Sequence, residues 1–392
     1  MSPTEVIYEN YVEKIHKVLI TAEEDSNRWL PIESLGIIKN LFIAMLTTRT
    51  ALQELDKKKF VYYKTVFQRF MRITPVLALV ILFNMSLAYA LFNESSSTLL
   101  EFSVQKCQKY WWSTLLHLQV YTNPHKLCMH TTWYLSVDFQ MTILVAPILV
   151  YLLWKYGQNV IILIIGLILM SSVYVYQKAI ESNIIVKQND FLDDFNGEFM
   201  TTFYYPTHVR GIVYLIGIIL GYCLHMKNEI CMPKSKIFQS SFVISVLIII
   251  MGPTFISYIY DLLGENIALN ALFFTSVRII WGTATALIIF VCQIGNGGVI
   301  NEILSKKFWI PFGKIGLSFY LAHPVLQYNI ISFNNNEYNI ESISMMTIYI
   351  AQDIFLALLV SVTFYLTVEE PFYLIGKLIS EKFIVKEKFK EF

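Results

Sequence analysis

Charge is scarce in this chain. Asp, Glu, Lys and Arg make up 15% of its 392 residues, where a soluble globular domain carries about 25%. The 30 basic and 29 acidic side chains nearly cancel, leaving a formal net charge of +1. That balance excludes the strong basic field that draws a protein onto nucleic acid. Cysteine is scarce too. The five cysteines do not form the two close pairs of a zinc site, so no metal is expected. The first residues, with Glu5, Glu9, Glu13, Lys14 and Lys17, lack the apolar core of a secretory signal peptide. No repeat, heptad seam or low-complexity tract is visible.

What fills the chain instead is apolar. Hydrophobic residues reach 55%, with 28 Phe and 24 Tyr. They gather into long runs near 36–52, 73–92, 131–154, 158–177, 210–226, 238–262, 269–293, 314–333 and 344–367. A run of about 18 to 25 apolar residues matches the thickness of a bilayer. In lipid each such segment must satisfy its own backbone polar groups, so the runs predict helices. The expected fold is all-α, a polytopic membrane helical bundle of about nine transmembrane helices. The first run is the weakest, because Lys39 and Arg49 intrude on it.

Loop charge orients the bundle. Lys57, Lys58, Lys59, Lys64, Arg69 and Arg72 fall on one side, together with Lys227, Lys234 and Lys236, then Lys306, Lys307 and Lys314, then the lysines of 377–392. Lys and Arg resist translocation, so this side and the C-terminus are expected in the cytosol. With nine spans, residues 1–35 form a luminal or extracellular segment, 36–376 the membrane domain, and 377–392 a cytosolic basic tail. The membrane is the endoplasmic reticulum or the plasma membrane. The loop 93–130 then lies in an oxidising compartment, where Cys107 and Cys128 can pair. Two free thiols are the alternative. Asn93-Glu94-Ser95 is a glycosylation sequon on the same side, close against the end of a span.

Several polar residues sit where lipid makes them expensive. Arg69 and Arg72 precede the span opening Ile73-Thr74-Pro75; they either grip the phosphates of a nucleotide-bearing donor, as guanidinium does bidentately, or simply anchor a helix end. Asp138 and Gln140 lie in the first turns of another span. An ionisable group there costs roughly 3 kcal/mol or more and faces a cavity or a partner, so both are functional candidates against a packing hydrogen bond. Arg210 and Arg278 follow the same logic, and Arg210 calls for an acidic partner. Gly211, Gly217 and Gly221 point to close helix packing. His323 follows Tyr320 by three residues, placing both on one helix face, where a histidine serves as base, proton relay or packing donor. Glu369 and Glu370 close the last span on the side of the arginines.

Taken together these segments resemble the acyltransferase 3 family of membrane acyltransferases, and within it the animal branch named for the nose-resistant-to-fluoxetine protein. The resemblance rests on Arg69-Phe70-Met71-Arg72-Ile73-Thr74-Pro75, on Cys107 with Tyr110-Trp111-Trp112, on Cys128 and the Trp133-Tyr134-Leu135 to Gln140 stretch, and on Pro206 to Arg210. Gly313 through Tyr320 to His323-Pro324 and then Glu369-Glu370-Pro371 complete it. It covers the chain from about Leu52 onward. It implies transfer of an acyl group from an acyl-coenzyme A co-substrate, met at the cytosolic face, to a lipid or small hydroxylated acceptor, with no bound cofactor. Arg69 and Arg72 would serve the donor, with Asp138, His323 and Tyr320 catalytic. The family's first span carries an arginine with a catalytic histidine eleven positions later, and no Arg here has that His. A truncated or degenerate member that has lost activity is one reading; a complete enzyme whose first span lies in an upstream exon is another. A different class, a non-catalytic protein that handles or transports lipids or small hydrophobic molecules, also fits polar residues lining a passage.

Overall fold

A computed structural model describes residues 30–58, 60, 62–87, 98–183, 200–226, 241–248, 266–333 and 343–388. Asn93 and most of 1–35 lie outside them, as does most of the 238–262 run. Every regular element among the described residues is helical. Six helical segments are long and apolar enough to cross a membrane: Tyr62–Met85, Trp133–Tyr156, Asn159–Glu181, Met200–His225, Ile267–Gln293 and Thr347–Ser380. The molecule is therefore a multi-pass helical membrane protein. The count of nine is not reached among the described residues, because Lys39 and Arg49 dilute the first run and others are described only in part.

The chain divides into two compact units. The first takes its described residues from 62–136 and 307–388. Its helices are α2 (Tyr62–Leu82), continued by a π-helical turn Phe83–Leu87, α3 (Thr98–Leu115) and the short α4 (Gln119–Thr122). α11 (Trp309–Phe333), α12 (Ile343–Phe364) and α13 (Glu370–Lys388) complete it, the last two joined through a π-helical Tyr365–Glu369. The last span therefore does not stop at Glu369-Glu370-Pro371. Pro371, which cannot donate to the helix ladder, falls just after the π-helical turn where the ladder is already interrupted, and the basic tail is helical as far as Lys388. α13 packs along α2: Gln68 Nε2 donates to Ser380 Oγ at 2.9 Å, and a Cβ on Gly376 would come within 2.8 Å of Met71 Cβ.

The second unit comprises 25–60 and 137–306. It holds α1 (Leu30–Asp56), the second half of α5 (Trp133–Gln140), which runs on through a π-helical Met141–Val145 into α6 (Ala146–Tyr156), then α7 (Asn159–Glu181) and α8 (Thr207–His225). α9 (Ile267–Gln293) and the short α10 (Gly298–Leu304) follow. Gly157, at φ 63° and ψ −143°, turns the chain sharply between α6 and α7 in a backbone region that only glycine adopts without strain. Asn266 caps α9 by accepting the amide of Leu269.

α8 is the centre of this unit, with most of its side chains buried. Gly217 and Gly221, one turn apart, let it touch α1. A Cβ on Gly217 would lie 2.6 Å from both Ala44 Cβ and the Leu41 carbonyl, and one on Gly221 would lie 2.7 Å from the Met45 carbonyl. Helices in lipid have little hydrophobic drive to associate, so such backbone contact supplies dispersion energy that larger residues would forbid.

Candidate functional site

Arg69 and Arg72 lie on α2 seven and ten residues after its start, ahead of Pro75. Arg72 Nε stands 3.6 Å from Glu369 Oε1, and the guanidinium lies 6.0 Å from the centre of the Tyr373 ring. Glu369 is 2% exposed while Arg72 is 46% exposed. The carboxylate therefore holds one edge of the guanidinium and leaves the outer face presented. Ser318 Oγ donates to Glu369 Oε2 at 2.7 Å, which orients the acid from α11. Next to it, Tyr365 donates to Glu370 at 2.8 Å. Arg72 and Glu369, some three hundred positions apart in sequence, are thus brought together in the first unit.

His323 is on α11. Its Nδ1 lies 2.9 Å from the Phe319 carbonyl, and the Phe319 ring stacks against it with centroids 5.6 Å apart. A carbonyl only accepts, so Nδ1 carries a proton, and in the neutral ring the lone pair is then on Nε2. Tyr320 faces the same way, its ring 6.1 Å from that of His323. Its hydroxyl donates to the Thr131 carbonyl at 2.6 Å, and its ring packs against Tyr134 at 5.6 Å. That places Tyr320 as a brace for the residues just before α5. Cys107 and Cys128 form a disulfide.

The first unit also holds polar residues that pattern reading passed over. His117, 1% exposed, bonds Thr74 Oγ1 through Nε2 at 3.3 Å. Gln119, fully buried, accepts from Thr114 at 2.7 Å and donates to Thr132 Oγ1 at 2.8 Å and Ser136 Oγ at 3.3 Å. Their signal in the sequence was a histidine and a glutamine at alternate positions among Leu115, Leu116, Leu118 and Val120.

In the second unit Asp138 is 1% exposed and interacts electrostatically with Lys39 of α1. Gln140 accepts a hydrogen bond from Thr207, and Thr142 bonds the Tyr214 hydroxyl at 3.0 Å. The two arginines of this unit share a target. Arg210 Nε donates to the Tyr204 carbonyl at 2.9 Å with its guanidinium 3.9 Å from the Tyr204 ring centre. Arg278 Nη2 donates to the Phe203 carbonyl at 3.1 Å and lies 4.5 Å from the Phe274 ring centre. Both carbonyls end the π-helical Met200–Tyr204 turn, where the last backbone acceptors need donors. Among its described contacts Arg210 thus meets a backbone carbonyl and an aromatic face, and the acidic stretch 190–198, where a carboxylate partner was expected, lies outside the described residues.

The described residues contain no group of three or more His, Cys, Asp or Glu side chains that could hold a metal. Membrane-crossing helices that carry a bonded carboxylate, guanidinium and hydroxyl define a multi-pass membrane protein with a polar site among its helices. The chain belongs to the acyltransferase 3 family, whose acyltransferase domain matches residues 41–366. Among curated proteins it is similar to nose resistant to fluoxetine protein 6 of Caenorhabditis elegans, with 26% identity over 342 residues. That alignment covers 81% of this chain and 39% of the worm protein, so the chain spans well under half the length of the relative it matches. No solved structure matches the chain.

Proposed function

We propose that this protein transfers an acyl group from an acyl-coenzyme A, met on the face that carries Arg69 and Arg72, to the hydroxyl of a lipid or small-molecule acceptor. The observation that supports the reading most is the Arg72–Glu369–Ser318 arrangement. One guanidinium edge is bound to a buried acid and the rest is presented to solvent. A guanidinium has five N–H donors in a planar fork, so Glu369 fixes its orientation and still leaves donors for a phosphate. In the transfer the acceptor oxygen attacks the thioester carbonyl, the C–S bond breaks, and coenzyme A leaves as a thiolate that takes up a proton. His323, with its Nε2 lone pair, is the candidate to remove the acceptor proton, a contribution typically worth 10²–10⁴-fold in rate. Asp138, which interacts with Lys39, and Gln140 are the polar residues of the second unit proposed to bind the acceptor, and Tyr320 braces the segment before α5. The orientation proposed is cytosolic for the arginine end and the C-terminus, luminal or extracellular for 1–35, with 36–376 as the membrane domain.

Titration of detergent-purified protein with an acyl-coenzyme A tests this. Arg72→Ala removes a charge-assisted phosphate contact of about 1.5–3 kcal/mol, so affinity should fall by roughly 10- to 100-fold. An intact protein that binds no acyl-coenzyme A would overturn the reading. So would labelled substrate that crosses proteoliposomes without any acyl transfer, which points to a carrier.

A further inference from the structure

Loop charge assigns 93–130 to the compartment opposite the arginines. The described part of it, from Thr98 onward, goes deeper than a surface loop. α3 runs antiparallel to α2 in a constant register: Asn84 Nδ2 donates to Cys107 Sγ at 3.4 Å, and ten residues along each helix Thr74 meets His117. Ten helical residues advance about 15 Å, half the hydrocarbon thickness of a bilayer. His117 therefore reaches the depth of Thr74, two residues past Arg72 on a membrane-crossing helix. The Arg69 guanidinium also acts on it electrostatically.

The chain then turns back. α3 ends in a Schellman motif: Leu118 N–H bonds the Ser113 carbonyl at 2.9 Å, His117 N–H bonds Thr114 at 3.1 Å, and His117 has φ 57° at the position glycine usually takes. By residue 128 the return arm is level with Cys107 again, since the disulfide joins them, and Lys126 acts electrostatically on Lys106. Surface chemistry follows the same depth profile. The exposed residues are Gln105, Gln108 and Lys109 at the base, then Trp111 and Trp112, then Leu116, Leu118, Tyr121 and Thr122 toward the tip, then His125 and Lys126. Polar, aromatic, apolar and polar again is the order met by a segment that dips through a membrane interface and comes back. A tip exposing two leucines to water would have no such logic.

We infer that residues 98–128 form a re-entrant hairpin, entering the bilayer from the face opposite the Arg69–Arg72 end of α2, with His117 at its tip acting as a positioning residue for those arginines. Pro75 removes the backbone bond that the Met71 carbonyl would receive, which leaves α2 weakest beside Arg72. The His117–Thr74 bond clamps that point. Gln119 ties the tip to Thr132 and Ser136, so the hairpin is held from two sides. This positioning role rests on the donor reading above; the membrane placement does not.

Two measurements separate them. In sealed membranes, a membrane-impermeant maleimide on the hairpin's face should label Lys109→Cys and Lys126→Cys but not Leu116→Cys or Leu118→Cys. The double variant T74C/H117C should cross-link under mild oxidation. Tip labelling as rapid as at Lys109, or no cross-link, overturns the hairpin. For positioning, His117→Gly suits the left-handed backbone and deletes only the side chain, whereas His117→Asn tolerates the same backbone and restores a hydrogen-bonding group. Acyl-coenzyme A affinity should fall about tenfold in the first and stay within about threefold of wild type in the second. Equal affinity in both overturns the positioning role. If the unaltered protein binds no acyl-coenzyme A while the labelling pattern holds, the donor reading fails and the hairpin stands.

Discussion

Arg72 and Arg278 are the same residue type in a similar apolar setting, yet the two units treat them in opposite ways. In the first unit Arg72 is set against a buried carboxylate with its outer face open. In the second, Arg278 is 2% exposed, donates to a backbone carbonyl and lies against a phenylalanine ring. One arrangement leaves guanidinium donors available; the other turns the guanidinium inward to close a helix end. An arginine in a span thus marks a site in one place and a brace in the other, and only its partners tell which.

The sharpest way to break this contrast is to attack the frame of the second unit. Gly217→Leu places a side chain where a Cβ alone would stand 2.6 Å from Ala44 and the Leu41 carbonyl. Overpacking against backbone exceeds the usual 1–3 kcal/mol, so the variant should fail to accumulate as a folded monodisperse species in detergent, as read by size-exclusion chromatography. A wild-type elution profile would mean that α1 and α8 do not touch as described.

Next comes the arginine pair itself. Arg278→Met leaves the Phe203 carbonyl without this donor and should lower thermal stability by about 1–3 kcal/mol while the folded fraction keeps its donor affinity. Arg72→Ala should do the reverse for binding. It also strands Glu369 in a buried site, so part of its stability loss should return in R72A/E369Q, whereas donor affinity should not. Recovery of binding in the double variant would make Arg72 a brace like Arg278.

The smallest effect is expected at the base of the hairpin. Burial and the neighbouring Lys126 push Lys106 down to about 8, below its value of about 10.4 in an unfolded chain. Between those values the unfolded state holds more protons, so stability should rise with pH from about 8 to 10.5. Lys126→Gln removes the second of these causes and should reduce that rise, with burial keeping the larger part, in a denaturation series. An unchanged slope would separate Lys126 from Lys106 and loosen the return arm.

Much of this was legible beforehand, for reasons that differ by residue. The helical membrane character follows from the apolar runs, because a bilayer sorts segments by length and polarity alone. The glycines of α8 read correctly as contact points, since absence of a side chain has few other uses in a span. The family follows from motif order from Arg69 to Pro371. His117 and Gln119 were passed over because the run around them is too short to span and is preceded by Gln105, Lys106, Gln108 and Lys109. A hydropathy pattern registers what surrounds a residue on average, and it carries no measure of depth.

The sequence by itself determined that this chain lives in lipid as helices, that it belongs to the acyltransferase 3 family, and which polar residues are costly enough to need a reason. The tertiary structure alone decided what each reason is: Glu369 for Arg72, the Phe203 carbonyl for Arg278, Thr74 for His117. Cost is a property of one side chain in a medium and can be read locally. Compensation needs a second group brought within about 3–4 Å, often from hundreds of positions away, and that distance exists only once the helices have packed.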